Sequence, residues 1–370
     1  MIRTERLVQS FLELAVIDNP TLHERELSEH LRRRFAALGI VLDEDGAGAA
    51  IGGSAGNLYA YLPGDETLAP ILLSAHMDAV APACGKKPAL HPDGRITSDG
   101  TTVLGADDLS GLCAILEAVT SVLEDSAPHR PVELLFDAAE ESYCTGIQKF
   151  DFSRLRSKTA YVFDLSGPVG SAAYQAPSIV SFRAELTGRA AHAAFSPEEG
   201  LHAIKAAAEA VSHIDCGRVG ALTVNVGTIT GGTADNIVPE TCILTGEVRG
   251  FDHPLVLRKL AEIEQTVRQS ASRFGCTVRF MTETLCQAFR ADPEGQAAQR
   301  FRAACAAAGL ESSLTVTYGG SDNNHFCQHG LTGLVVAPGM NSCHSCQEYT
   351  SADELTRAAR LAEALIVSRE

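Results

Sequence analysis

Between Ile71 and Glu141 the chain runs three times from a short apolar stretch into hard, oxygen- or nitrogen-bearing side chains. ILLSAHMDAV reaches His76 and Asp78, VLGADDLSG carries Asp107 and Asp108, and VELLFDAAEES ends on Glu140 and Glu141. In His76-x-Asp78, residues i and i+2 of a strand end point the same way. A carboxylate there can accept from the imidazole nitrogen that does not face a metal, fixing the tautomer. Asp107-Asp108 is ambiguous, since Asp is also a common helix N-cap. Glu140-Glu141 says more: adjacent carboxylates raise each other's pKa and nothing structural requires them. One can bind a cation while the other stays free as a base. Asp164 closes another apolar run, and His344 lies in PGMNSCHSCQE after the run GLVVA. Two imidazoles (His76, His344) and three carboxylates (Asp107, Glu141, Asp164) match the needs of two divalent cations about 3.5–4 Å apart with a shared carboxylate. Zinc accepts such mixed ligation, and cobalt or manganese could replace it. Cys343-x-x-Cys346 is a competing thiol site, but a lone CxxC without a second pair is a poor zinc or redox signal.

These residues need a scaffold that gathers strand ends. Strands are expected at Leu58–Leu62 and residues 71–75, 132–136 and 160–163, with helices over 4–17, 23–38 and from about Asp108. The last of these helices shows Leu112, Ile115, Leu116 and Val119 at helical spacing. A Pro/Gly-rich loop is expected over residues 80–100. Strands alternating with helices give an α/β layered domain, whose chemistry collects at the carboxyl edge of the sheet. After about Ala176 the style changes. Strands over 178–186, 222–227, 243–248 and 277–281, with helices over 197–214 and 254–274, give the order β-α-β-β-α-β of a ferredoxin-like unit. From about Gln287 the α/β style returns, with helices over 293–308, Asp322–Gln328 and 351–368 and strands near 313–317 and 333–337. A discontinuous catalytic domain (1–175 and 286–370) with an inserted lid or dimerisation domain (176–285) is therefore expected.

HMDAV, GADDLSG, AAEES, FDLSG and CHSCQE, in that order, resemble the aminoacylase, carboxypeptidase and peptidase T superfamily of two-metal exopeptidases. TSDGTTVLGADD and YGGSDNNHF bring the chain closest to the peptidase T-like branch. The resemblance implies a mixed-sheet zinc-peptidase domain with His76, Asp107, Glu141, Asp164 and His344 as metal ligands, Asp107 bridging. It further implies that Asp78 orients His76 and that Glu140 is the general base acting on a water shared by the two cations. His192 in GRAAHAAFSPEEG, Asn236 in GGTADNIVPE and Arg249 in GEVRGFD match substrate-binding positions of the lid. On the residues alone, His192 reads equally as a surface histidine, Asn236 as a turn residue, and Arg249 as the partner of a neighbouring acid. Leu109 departs from the lysine that the family often carries after the paired Asp.

The formal charge of −16 disfavours nucleic acid, and no apolar run has the length of a membrane span. Eleven cysteines, mostly within apolar segments, and an amphipathic N-terminus unlike a signal peptide fit reduced thiols in the cytoplasm. The expected activity is tripeptide aminopeptidase-like hydrolysis of short peptides, with a homodimer through the lid if His192 acts across an interface. Carboxypeptidase, dipeptidase or N-acyl amino acid deacylase activity on the same metal site is the alternative. A cysteine hydrolase using Cys144, or a non-enzymatic binding module, are the rivals from other classes.

Overall fold

Residues 1–369 are described by the computed structural model. Every residue of Ile71–His76, Val132–Asp137 and Thr159–Val162 is buried. Runs of Val, Ile and Leu without alternation belong in the middle of a sheet covered on both faces. There Ile71–His76 lies parallel to both other strands, His76 level with Asp137 and Ser74 level with Val162. The three strands therefore finish together. The sheet runs Asp43–Glu44, Leu58–Leu62, Val132–Asp137, Ile71–His76, Thr159–Val162, Thr332–Val336, Ser171–Ala176, with Ser313–Val316 also beside Ser171–Ala176. Leu58–Leu62 is antiparallel to its neighbour Val132–Asp137, so the sheet is mixed.

Helix Ala106–Glu124 is buried on nearly every side, as its many apolar residues, which are not confined to one face, lead one to expect. It packs with Thr4–Ala15 and Ala352–Val367 into one large core that includes Phe11, Leu112, Ile115, Phe136, Phe163 and Leu361. Glu117, buried in this helix, is matched by the Arg6 guanidinium at 2.7 and 2.8 Å and by the Arg3 amide at 2.7 Å. These elements belong to a compact unit comprising Met1–Gln175, Arg290–Thr317 and the residues from Ser321 onward.

The other unit comprises Ala176–Phe289 and Tyr318–Gly320. Its antiparallel sheet runs Gly217–Val219, Leu222–Gly231, Thr241–Gly250, Ser178–Thr187, Thr277–Cys286. Helices Ala203–His213 and His253–Arg273 share its apolar core, built on Phe182, Leu186, Leu244, Val256 and Val267. A mixed α/β sheet with an inserted α+β unit is the expected architecture.

Three local readings differ. Ala89–Leu90 and Arg95–Thr97, in the expected loop 80–100, form a small sheet with Tyr349–Ser351, a pairing across some 250 residues that no local pattern reveals. The helix expected over 197–214 is a single turn, Pro197–Glu199, followed by Ala203–His213. Between them Leu201 bridges Arg189, and a Cβ on Gly200 would come within 2.7 Å of Val238, so the chain is extended there. Ser171–Ala176 is a strand whose sequence, SAAYQA, is too weakly apolar to announce it.

Candidate metal centre

His76 is the last residue of its strand, and its side chain is 1% exposed. Its Nε2 lies 3.1 Å from Asp107 Oδ1, and its Nδ1 lies 3.1 Å from the Asp78 carbonyl oxygen and 3.4 Å from the Asp78 carboxylate. Nδ1–H therefore has an acceptor, which leaves Nε2 for the cluster. The Asp78 carboxylate has a larger task than orienting that ring. It accepts from Thr21 Oγ1 at 2.8 Å, from the Glu140 amide at 2.9 Å and from the Glu141 amide at 3.2 Å. One buried carboxylate thus ties the His76 strand end to the turn that carries both glutamates.

That turn is strained. Ala139, Tyr143 and Cys144 have φ of 57°, 60° and 58°, left-handed values that cost free energy in residues with a Cβ. Hydrogen bonds hold it closed: Ala139 N to Glu24 Oε1 at 3.2 Å, Cys144 N to the Glu140 carbonyl at 2.6 Å, and Thr145 N to the Ala139 carbonyl at 3.1 Å.

The paired aspartates divide their work. Asp108 accepts from the His76 amide at 3.2 Å and from the Gly111 amide at 3.1 Å, joining the strand end to the helix start. Asp107 faces the two imidazoles, Oδ1 toward His76 and Oδ2 at 3.3 Å from His344 Nε2. His344 Nε2 is also 3.1 Å from Glu141 Oε2. His76, Glu140 and Asp164 offer atoms within 4.8 Å of one another, as do His76, Asp107 and Glu141. All five expected ligands and Glu140 therefore converge.

The donor set fits cations. Two ligand atoms on a tetrahedral ion with arms of about 2.0–2.1 Å stand about 3.3 Å apart, close to the 3.1, 3.3 and 3.1 Å found around Asp107 and His344. Glu141 Oε1 is buried with no donor among the described residues. The local charge is lopsided as well. Burial, then neighbouring carboxylates, pushes Asp164 well above the usual carboxylate range, while His344 is pushed up to about 10 by Asp107 and Glu141. Protons are drawn where positive charge is lacking, and a divalent ion supplies it.

A family model described as the peptidase dimerisation domain matches residues 174–274. A second, for peptidase family M28, matches residues 57–207, the stretch that holds His76, Asp107, Glu141 and Asp164. The chain is 33% identical over 367 residues to the uncharacterized protein YqjE of Bacillus subtilis, covering 99% of each. It is similar to the crystal structure of aminopeptidase PepT from Bacillus cereus, with a TM-score of 0.89 and 33% identity over 99% of this chain and 98% of that one. A tripeptidase from Staphylococcus aureus matches with a TM-score of 0.93 and 30% identity over 99% and 98% of the two chains. The chain belongs to the peptidase T-like branch of the M20 peptidases. It is a metallo-exopeptidase, and its clusters suit a two-metal site.

Several residues of this peptidase do work that its sequence does not announce. Glu348, 1% exposed, accepts from the Gly105 amide at 2.7 Å and the Asp107 amide at 2.8 Å, and so sets the loop that presents Asp107. Burial pushes its carboxyl up to about 7. Glu24 is likewise buried and pushed up to about 7, by burial and by Asp78. Lys86, 4% exposed, donates to Asn19, whose Nδ2 holds the Met77 carbonyl at 2.8 Å. Burial lowers this ammonium to about 8. The one available signal was Glu348 within CHSCQE.

The remaining expected residues lie in the other unit. His192 and Asn236 are exposed and brought side by side, with Ala193 N bonded to the Asn236 carbonyl at 3.0 Å and a bridge between His192 and Ile237. His192 Nδ1 accepts from the Ala194 and Phe195 amides at 3.1 and 3.2 Å. Arg249 is paired with Glu247 through Nε at 2.7 Å and Nη2 at 3.1 Å, and donates from Nη1 to the Tyr318 carbonyl at 3.2 Å. Its fork already has an acidic neighbour.

Proposed function

We propose that this peptidase is a tripeptide aminopeptidase holding two zinc ions, one through His76, Asp107 and Asp164 and the other through Asp107, Glu141 and His344. The observation that carries the reading is the Asp107 carboxylate, with one imidazole against each of its oxygens at 3.1 and 3.3 Å. When bound, such a pair of cations lowers the pKa of water and polarises a carbonyl. Glu140, placed beside His76 and Asp164, takes the proton of the attacking water and delivers it to the leaving amine, as base and then acid. Asp78 keeps Glu140 and His76 in register by gripping both the turn and the strand end. His192, Asn236 and Arg249 are proposed to bind substrate, Arg249 by exchanging Glu247 for a substrate carboxylate.

The tripeptide preference follows the tripeptidase of Staphylococcus aureus and the aminopeptidase of Bacillus cereus. A homodimer through the inserted unit is supported by its match to the peptidase dimerisation domain. A cytoplasmic location is proposed from the free thiols; separately, no described helix is long and apolar enough to cross a membrane.

The test is a panel of free tripeptides, dipeptides and N-acetylated amino acids. Release of the N-terminal residue from free tripeptides is expected, abolished by a chelator. Glu140→Gln is expected to keep its metal and lose at least ~10²-fold in kcat. Cleavage of blocked substrates alone would overturn the aminopeptidase reading in favour of a deacylase.

A further inference from the structure

Next to Glu140 lies a group of buried side chains that the metal centre does not use. Cys144 Sγ donates to Glu140 Oε1 at 3.3 Å, and Glu140, Cys144 and Asp322 offer atoms within 4.8 Å of one another. Cys144 and Asp322 are each 1% exposed, and Asp137 is fully buried. Asp322 opens the helix Asp322–Gln328, but the capping there is done by Ser321 and Asn324, so its carboxylate is left for other contacts. Asp137, level with His76 in the sheet, reaches Asp322. Asp137 and Cys144 both hydrogen-bond Asp322, so the thiol touches a second carboxyl besides Glu140. Three carboxyl groups are thus gathered in a buried place, and the thiol of Cys144 stands between Glu140 and Asp322.

A thiol has one proton to give and makes a weak donor. In a buried setting even a weak donor fixes an acceptor, because the alternative is an unsatisfied oxygen facing another carboxyl. The closed turn places the thiol beside Glu140 Oε1: the Cys144 amide bonds to the Glu140 carbonyl at 2.6 Å and Cys144 has φ 58°. The same burial removes Cys144 from contact with substrate, so it is badly placed to be a nucleophile.

We propose that Cys144 is a positioning residue for Glu140. Its S–H holds one carboxylate oxygen of Glu140 and separates it from Asp322, leaving the other oxygen to face the metal-binding side chains. The proposal rests on the reading of Glu140 as the general base, and it assigns to the thiol an orienting task within that reading.

Steady-state kinetics of the metal-loaded enzyme on a free tripeptide test it. Cys144→Ala is expected to lower kcat by roughly tenfold with KM within about twofold, the signature of an interaction needed in the transition state rather than in binding. Cys144→Ser, which restores a donor, is expected to recover kcat to within about threefold. Both variants keep a Cβ at the same backbone angle, so they share any strain. In a Glu140→Gln background, Cys144→Ala is expected to cost nothing further, since a residue acting through Glu140 has nothing left to position. Wild-type kcat in Cys144→Ala, failure of Ser to rescue a correctly folded enzyme, or a full additional loss in the Glu140→Gln background would each overturn the proposal. A fully active Glu140→Gln enzyme would instead remove the base itself, an outcome distinct from the first three.

Discussion

Glu348 offers a sharp test of how the metal centre is built. Replacing it by Ala removes a buried carboxylate that accepts from the Gly105 and Asp107 amides at 2.7 and 2.8 Å. Two buried N–H groups would lose their acceptor, each costing about 1–3 kcal/mol, so a loss of roughly 2–4 kcal/mol is expected after partial relaxation. Outer-shell partners of metal ligands typically contribute about 10–100-fold in affinity. Because Asp107 stands between both imidazoles, Glu348→Ala should weaken the two cation sites together. Asp164→Ala should weaken chiefly the site shared with His76. Chemical denaturation of the metal-free protein reads the stability term, and competitive titration with a chromophoric chelator reads both affinities. Wild-type affinity at both sites in Glu348→Ala, or weakening at one site alone, would refute the argument that this carboxylate presents Asp107.

Two further outcomes follow from buried charges. Glu24 has its carboxyl raised from 4.5 to about 7 by burial and by Asp78, so the folded chain holds a proton there that the unfolded chain has lost. Its contribution to stability is therefore present below about pH 4.5 and lost as pH rises through about 7. Glu24→Gln, which keeps an acceptor for the Leu22 and Ala139 amides, should be more stable than wild type at pH 8 by about 1–3 kcal/mol, with the difference vanishing near pH 4.5 in urea titrations. A difference independent of pH would count against it. At position 109, a Cβ built on Gly105 would stand 3.4 Å from Leu109 Cδ1 and 3.2 Å from Lys86 Nζ, so the Lys86 ammonium lies near the Leu109 side chain. Leu109→Lys is expected to destabilise by roughly 2–4 kcal/mol through a second buried cation, and Lys86→Leu in the same chain should recover part of that. Thermal melting of the single and double variants decides the matter, and equal destabilisation in both would contradict the proximity argument.

What could be read in advance depended on the kind of interaction. Strands such as Ile71–His76 show themselves because burial on both faces favours a near-continuous apolar run, and helix Asp322–Gln328 because its cap residues are local. The set His76, Asp107, Glu141 and His344 was legible from residue types that follow short apolar runs, together with the resemblance of the motifs that carry them. The groups that hold them were not. Glu24 and Glu348 act on backbone amides far along the chain, at separations of 115 and more than 240 residues, and such contacts impose no spacing on the sequence. Asp78 was read as a partner of the His76 ring, yet three of its bonds go to Thr21 and to the amides of Glu140 and Glu141. Arg249 could be read either as a substrate-gripping fork or as the partner of a neighbouring acid, and it is paired with Glu247, two residues away on the same strand.

Anomalous diffraction from crystals grown with zinc addresses the metal centre itself. Two peaks are expected on either side of the Asp107 carboxylate, one about 2.0–2.1 Å from His76 Nε2 and the other at the same distance from His344 Nε2. A single peak, or peaks away from Asp107, would contradict the two-metal account.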